Sequence, residues 1–204
     1  MNGSGQSAAR GDFWTRWRQW VLAVLACATA QGAFAFDIAE LMAMMAKVER
    51  STVVFEETKH VAALTTPLVR RGTLRYVRPD QLQMHVEEPY FERMSVTGER
   101  LTIETRKGKR QIELSAQPAV AAWIESLRAT LSGDLNALNR YYRVQLSGQR
   151  DGWKLELHPL ERNLAEVVQR VELSGAEVQL KRVAIEERQG DRAVLVLSPS
   201  ADTK

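Results

Sequence analysis

Residues 72–105 read GTLRYVRPDQLQMHVEEPYFERMSVTGERLTIET, and apolar side chains occupy every second position in four runs separated by turn residues. A period of two, with one apolar and one polar face, is typical of half-buried antiparallel strands. The turns fall at Arg78-Pro79 and at Thr97-Gly98, and the residue before a proline is held extended. The stretch therefore predicts four consecutive strands. Their apolar positions are Leu74 and Tyr76, then Leu82, Met84 and Val86, then Met94 and Val96, then Leu101 and Ile103.

The same alternation continues through the rest of the chain and predicts about ten strands in total. A sheet of that size with one apolar face cannot lie flat, so it must curl or be covered. We therefore predict an α+β fold with a curved antiparallel sheet or open barrel around an apolar hollow. A solid β core with packed helices is the alternative. The further apolar pairs are Ile112 and Leu114, Tyr142 with Val144 and Leu146, Trp153 with Leu155 and Leu157, Val171 and Leu173, Val178 and Leu180, Val183 and Ile185, and Val194 and Val196.

Helical spacing appears in two places. Asp37 and Glu40 form a capping-box-like start to a helix that is rich in methionine. Pro118 begins a second apolar stripe that ends at Gly133, and Asp134 is placed to cap a further short turn. These segments are predicted to cover the sheet.

Composition and motifs argue against an enzyme or a nucleic-acid-binding protein. Hydrophobic residues make up 45% of the 204 and charged residues 26%, and the net charge is +3. Without residues 1–35 the net charge is +1, so the body does not attract a polyanion over long range. The single cysteine is Cys27, the three histidines (His60, His85, His158) are far apart, and nucleotide-binding and hydrolase motifs are absent from the sequence. We therefore expect no enzymatic activity, cofactor or metal.

Residues 1–35 have the pattern of a cleavable signal peptide. Arg10, Arg16 and Arg18 precede a short apolar run that ends near Cys27 and is too short to span a bilayer. Small-residue cleavage patterns end at Ala30 and at Ala35, and the second is favoured. An uncleaved anchor and acylation at Cys27, within a lipobox-like VLAC, are the alternatives. Residues 36–204 are then predicted to be one periplasmic domain.

The spacing of four short elements resembles the LolA-like family of periplasmic carriers for outer-membrane lipoproteins. These elements are Gly72-Thr73-Leu74, Arg78-Pro79, Pro89 and Thr97-Gly98. The resemblance implies a half-barrel of about eleven strands, a small helical lid, and an apolar cavity for acyl chains. It also implies that Arg78 hydrogen-bonds to the lid and helps to control its opening.

On this hypothesis the inward-facing residues line the cavity, and residues of the two helical segments form the lid. The lipid-binding candidates are Phe55, Leu74, Tyr76, Leu82, Met84, Met94, Val96, Leu101, Ile103, Leu155, Leu157 and Ile185. The lid candidates are Met42, Met45, Trp123, Leu127 and Arg78. Met84 and Thr102 stand where the family often has aromatic residues, which indicates a divergent member with a cargo other than the standard lipoprotein.

The functional interpretation is a monomeric carrier that takes an acylated lipoprotein or other lipid from an inner-membrane donor to an outer-membrane acceptor. Two alternatives remain: a LolB-like acceptor anchored through Cys27, and a lipid-sensing module of the envelope-stress response. The basic turn 106–110 is either a solvated hairpin tip or a contact for anionic headgroups.

Export can be tested on the protein itself. We expect N-terminal sequencing and intact-mass analysis of the periplasmic fraction to give a chain that begins at Phe36, or at Gln31 as the second choice. A mass that fits acylation at Cys27 would indicate the anchored alternative. A soluble cytoplasmic product that retains Met1 would contradict export.

Overall fold

The computed structural model describes residues 36–200, so the leader, with Cys27 and both cleavage sites, lies outside the described residues. Eleven strands form within this range, and the prediction of an α+β fold with an extended antiparallel sheet is confirmed. The strands are β1 Arg50–His60, β2 Leu68–Val77, β3 Gln81–Glu88, β4 Glu92–Thr97, β5 Arg100–Thr105, β6 Gly108–Glu113, β7 Tyr142–Gln149, β8 Gly152–Pro159, β9 Val168–Ala176, β10 Gln179–Glu187 and β11 Arg192–Pro199.

Four α-helices accompany the sheet over the same range. They are α1 Ile38–Met45, α2 Pro118–Ser132, α3 Leu135–Tyr141 and α4 Arg162–Ala165, and a 3₁₀ turn at Leu114–Ala116 precedes α2. The capping predictions are confirmed, since the Asp37 carboxylate accepts from the Glu40 amide at 2.8 Å and Asp134 accepts from the Ala137 amide at 2.9 Å. The short helix α4 was not predicted. None of the described helices is long and apolar enough to span a bilayer.

The sheet is open, because its order runs β6-β5-β4-β3-β2-β1-β11-β10-β9-β8-β7 and the two outer strands do not pair with each other. Helix α2 contacts both β3 and β9, which lie five places apart in that order. Five strand spacings cover roughly 24 Å in a flat sheet, whereas a helix with its side chains is only about 10–12 Å wide. The sheet must therefore curl around α2, as the half-barrel prediction requires.

The core lies between the concave face of the sheet and the helices. On strand β11 the set of side chains that points into this core differs from the prediction. On β11 the buried residues are Leu195 and Leu197, while Val196 is 50% exposed. The placement of Val194 and Val196 in the inward series is therefore wrong. Residues 193–197 read AVLVL, and an apolar run without polar gaps does not show which alternate set is buried. Leu197 pairs with the buried residue Phe55 of β1, and this register places Leu197 and Leu195 on the core face of β11.

A glycine allows the ends of the two main helices to meet. Gly133 follows α2 with φ +70°, and its N–H bonds to the Thr130 carbonyl at 3.1 Å. A Cβ atom at this position would lie 2.2 Å from the Met42 carbonyl oxygen and 2.7 Å from the Ala46 amide nitrogen. The C-terminal ends of α1 and α2 therefore touch through backbone atoms that only glycine leaves accessible.

This contact can be tested by comparing Gly133→Ala with Gly98→Ala. Gly98 has φ +57° but open space around its Cβ position, so that variant carries only the backbone penalty of about 1–2 kcal/mol. We expect Gly133→Ala to lower the free energy of unfolding by at least a further ~1 kcal/mol, because the added methyl collides with α1. Urea denaturation measures both, and equal midpoints for the two variants would contradict the close approach.

Candidate functional site

A pocket of about 930 Å³ opens at the end of the sheet where β1 begins and β11 ends. Its volume falls within the ~300–1,000 Å³ typical of small-molecule sites. The walls come from β1, β2, the β9–β10 turn, β11 and the C-terminal end of α2. The lining residues are Val48, Arg50, Ser51, Thr52, Val53, Thr73, Leu74, Tyr76, Leu131, Val178, Gln179, Leu180, Lys181, Leu197, Ser198, Pro199 and Ser200.

Within residues 36–200 the lining combines apolar walls with two cations and several hydroxyl and amide groups, without a carboxylate or an imidazole. The Tyr76 hydroxyl donates to the Pro79 carbonyl at 3.1 Å. Burial raises the pKa of Tyr76 above its ordinary value, while Arg78 opposes the shift, so the phenol stays neutral and can donate at neutral pH. The pocket can therefore hold an apolar chain and place a polar group at Arg50 or Lys181.

Only Leu74 and Tyr76 of the twelve lipid-binding candidates line this pocket. The other candidates lie deeper, in the closed core between the sheet and the helices, where Met84 is 3% exposed and Met94 is half-buried. The remaining eight are buried in the same core: Phe55, Leu82, Val96, Leu101, Ile103, Leu155, Leu157 and Ile185. The pocket residues contributed by the β9–β10 turn and by α2 were not among the candidates.

Four of the five lid candidates contact the core, and Arg78 is exposed. Met42, Met45 and Leu127 are buried, and Trp123 is half-buried against the same cluster. Thr102, by contrast, lies on the face of β5 opposite to Leu101 and Ile103. It therefore cannot replace an aromatic wall, and that part of the argument for an unusual cargo is wrong.

Arg78 lies at a junction of three chain segments. Its backbone N–H bonds to the Glu49 carbonyl at 2.9 Å. Its guanidinium donates to the carbonyl of Ala46, at the end of α1, and to that of Ser132, at the end of α2, the latter at 3.4 Å. Carbonyls at helix C-termini lack intrahelical partners and carry partial negative charge, so a cation there is stabilising.

This junction is continuous with the pocket. Ala46 is two residues before Val48, and Ser132 directly follows Leu131, and both Val48 and Leu131 line the pocket. On the sheet side, Tyr76 is two residues before Arg78. Movement of either helix end away from Arg78 would therefore change the pocket wall.

A second arginine also connects a helix to the sheet. Arg78 follows strand β2 and reaches the helix ends, whereas Arg128 lies on α2 and reaches turns of the sheet. Its guanidinium donates to the Gly98 carbonyl at 3.1 Å, in the β4–β5 turn, and pairs with Asp80 at 3.3 Å and Glu125 at 2.8 Å. Burial raises the pKa of Glu125, and Arg128 opposes that shift. Sequence reasoning missed this residue. The sequence does hint at it, because Arg128 comes four residues after Ile124 and so lies at the edge of the apolar stripe of α2.

The concave face of the sheet becomes charged toward its other end. Arg70 bonds to Glu57 at 2.5 Å and to Glu92 at 3.3 Å, and Glu57 is itself buried. These residues follow the same inward alternation as Phe55 and Leu74, so they interrupt the apolar surface. Among the described residues, His, Cys, Asp and Glu do not cluster in a way that could hold a metal ion.

Comparison with known proteins supplies the family. The model described as "Outer membrane lipoprotein carrier protein LolA-like" matches residues 29–203, which is most of the chain. No curated protein matches the sequence significantly.

Several solved structures are similar at low sequence identity. A LolA superfamily protein from Nitrosomonas europaea is 15% identical with a TM-score of 0.43, over 79% of this chain and 90% of that one. A putative outer membrane lipoprotein-sorting protein domain from Vibrio parahaemolyticus is 11% identical with a TM-score of 0.42, over 82% and 92%. The MucA/MucB complex from Pseudomonas aeruginosa matches at 12% identity and a TM-score of 0.42, over 81% of this chain and 59% of that one.

The junction at Arg78 is testable by hydrogen exchange. In Arg78→Leu we expect the amides of α1 and of the last turn of α2 to exchange about tenfold faster, since losing charge-assisted hydrogen bonds removes ~1–2 kcal/mol of local stability. Arg75→Leu, an exposed position on the same strand, is the matched control and should leave both helices protected. Equal protection in the two variants would show that Arg78 does not hold the helix ends.

Proposed function

The chain belongs to the LolA-like family of outer membrane lipoprotein carrier proteins, and from this we propose that it is an exported carrier of acyl chains. In this proposal the cargo is an acylated lipoprotein or another lipid, and the protein works as a monomer in the periplasm. The observation that supports it best is the pocket of about 930 Å³ whose wall includes both helix ends held by Arg78.

The pocket suits an acyl chain because burying apolar surface against its walls is enough to bind such a chain. Val53, Leu74, Leu131 and Leu197 surround a space in which each buried methylene contributes about 0.8 kcal/mol. No directional partner is needed for the chain, while Arg50 and Lys181 offer sites for an acidic headgroup. A chain of ordinary lipid length therefore binds without any reaction.

Loading beyond this pocket requires the lid to move. The inward residues of β3, β4 and β5 are already part of the core into which α1 and α2 pack, so we propose that a larger cargo reaches them when α1 and α2 lift from the sheet. The hydrogen bonds of Arg78 and Arg128 to helix ends and turns are few and partly exposed, so they are the contacts that break in such a movement.

Release must then come from the surroundings, because we propose a protein without chemistry of its own. Among the described residues that line the pocket there is no carboxylate, imidazole or thiol. We accordingly propose an inner-membrane donor and an outer-membrane acceptor that each offer the acyl chain a comparable environment. An acceptor anchored through Cys27 and a lipid-sensing module are the competing proposals, distinguished by the intact mass of the exported chain and by transfer of lipid between vesicles.

The pocket can be tested by filling it. Val53 faces the pocket and is only half-buried, so Val53→Trp should place the new ring in empty space. We expect the melting temperature to stay nearly unchanged while binding of a fluorescent fatty-acid probe falls by about tenfold. Val54→Trp, one residue away on the opposite face, is the matched control and should bind the probe like the wild type.

The same substitution by tryptophan at Met84 tests whether the core beneath the helices is filled. Met84 is buried away from the pocket, so the added volume should cost ~1–3 kcal/mol and lower the melting temperature by several degrees. Normal probe binding by Val53→Trp would mean that cargo binds elsewhere. Failure of the wild type to bind the probe would remove the carrier proposal.

A further inference from the structure

The loops at the end of the sheet opposite the pocket carry features that the carrier function has not used. Three of them are neighbours: the β1–β2 loop (61–67), the β3–β4 loop (89–91) and the β5–β6 turn (106–107). Each is two strands from the next, about 10 Å along the sheet edge. We call these loops and the residues flanking them the rim.

The rim exposes large apolar side chains. Tyr90, at the tip of the β3–β4 loop, is 81% exposed, and Leu64 and Leu68, in and directly after the β1–β2 loop, are each 50% exposed. A single exposed leucine is ordinary. A tyrosine and two leucines on neighbouring loops, however, together present an exposed apolar surface.

The rim is also basic at the β5–β6 turn. Arg106 and Lys107 form the turn, and Lys109 and Arg110 follow it on β6. Among the ion pairs of the described residues, none includes these four side chains. Glu104, opposite Lys109 on β5, pairs instead with Arg93 at 3.7 Å.

The acidic residues of the neighbouring loop do not neutralise this turn. Glu88 pairs with Arg71 at 3.3 Å, and Glu92 pairs with Arg70 at the same distance. Glu87 is the remaining exposed carboxylate there. Four cations therefore lie beside an apolar surface with little local compensation.

We propose that the rim docks the protein on an anionic membrane surface. Tyr90 and the two leucines would sit among the headgroups, where amphipathic aromatic and aliphatic side chains are stable, and the basic turn would face the lipid phosphates. The proposal depends on the proposed function for its purpose, but docking of the empty protein can be measured without any cargo.

This orientation has a consequence for cargo transfer. The pocket, Arg78 and Arg128 lie near the opposite ends of the strands from the rim. Strands β1 to β6 have six to eleven residues, so they separate the two ends by roughly 20–35 Å. A docked molecule thus keeps its pocket and the helix ends directed away from the bilayer, accessible to a partner protein.

Vesicle flotation tests the docking. We expect the wild type to bind vesicles of phosphatidylcholine with phosphatidylglycerol and not vesicles of phosphatidylcholine alone, and to dissociate as salt is raised. Lys107→Gln/Lys109→Gln should weaken binding by at least about tenfold, since each cation near an anionic surface contributes roughly fivefold. Tyr90→Ser should weaken it as well.

Matched controls use exposed residues elsewhere. Lys47→Gln/Arg75→Gln removes two exposed cations near the pocket end, and Val196→Ser removes an exposed apolar side chain from the convex face. Both should bind anionic vesicles like the wild type. Probe binding should be normal in the rim variants, so a failure of docking is distinct from a failure of the carrier proposal.

Three results would overturn docking. The first is the absence of binding to anionic vesicles, and the second is equal binding by the wild type and the Lys107→Gln/Lys109→Gln variant. The third is self-association in ultracentrifugation that Tyr90→Ser abolishes without any effect on vesicles, because the rim would then be an interface between copies of the chain.

Discussion

An antiparallel sheet of eleven strands with one apolar face must keep that face away from water. The sheet curls around α2, but its outer strands β6 and β7 do not pair, so curling alone cannot close the space. Four helices of four to fifteen residues supply the remaining cover within the described chain. Their apolar side chains pack into the core, and the pocket lies beside the C-terminal end of α2, between the start of β1 and the end of β11. The pocket is therefore found at the edge of the helical cover.

The cover is attached by two different kinds of contact. Apolar side chains of α1 and α2 pack into the core, whereas Arg78 and Arg128 hydrogen-bond to the helix ends and to a turn. Apolar contact is tolerant of small shifts, but hydrogen bonds to particular carbonyls are not. Because Gly133 brings the two helix ends into backbone contact, α1 and α2 meet Arg78 as one unit.

Alternation and capping chemistry predict most of this fold from sequence, because strand period, N-caps and the glycine after α2 are local properties. The failures have a common cause in long-range geometry. The buried set on β11 depends on pairing with β1, and the face of Thr102 depends on its register with β4. Arg128 reaches turns that are 30 and 48 residues away in sequence. The place of the pocket was not predictable either, since the sequence pattern of the concave face is continuous and does not show where the helices leave it open.

The two ends of the strands differ in the polar contacts that they make. At the pocket end, arginine side chains donate hydrogen bonds to carbonyls at helix ends and in a turn. At the rim end, the concave face carries the Glu57–Arg70–Glu92 network, which makes an apolar entrance there unfavourable, since an acyl chain would have to pass buried charge. In the proposed carrier an acyl chain would therefore enter from the pocket end, and the charged network would separate the interior from the surface that carries Tyr90 and the basic turn. The two proposals therefore place cargo exchange and membrane contact at opposite ends of one sheet.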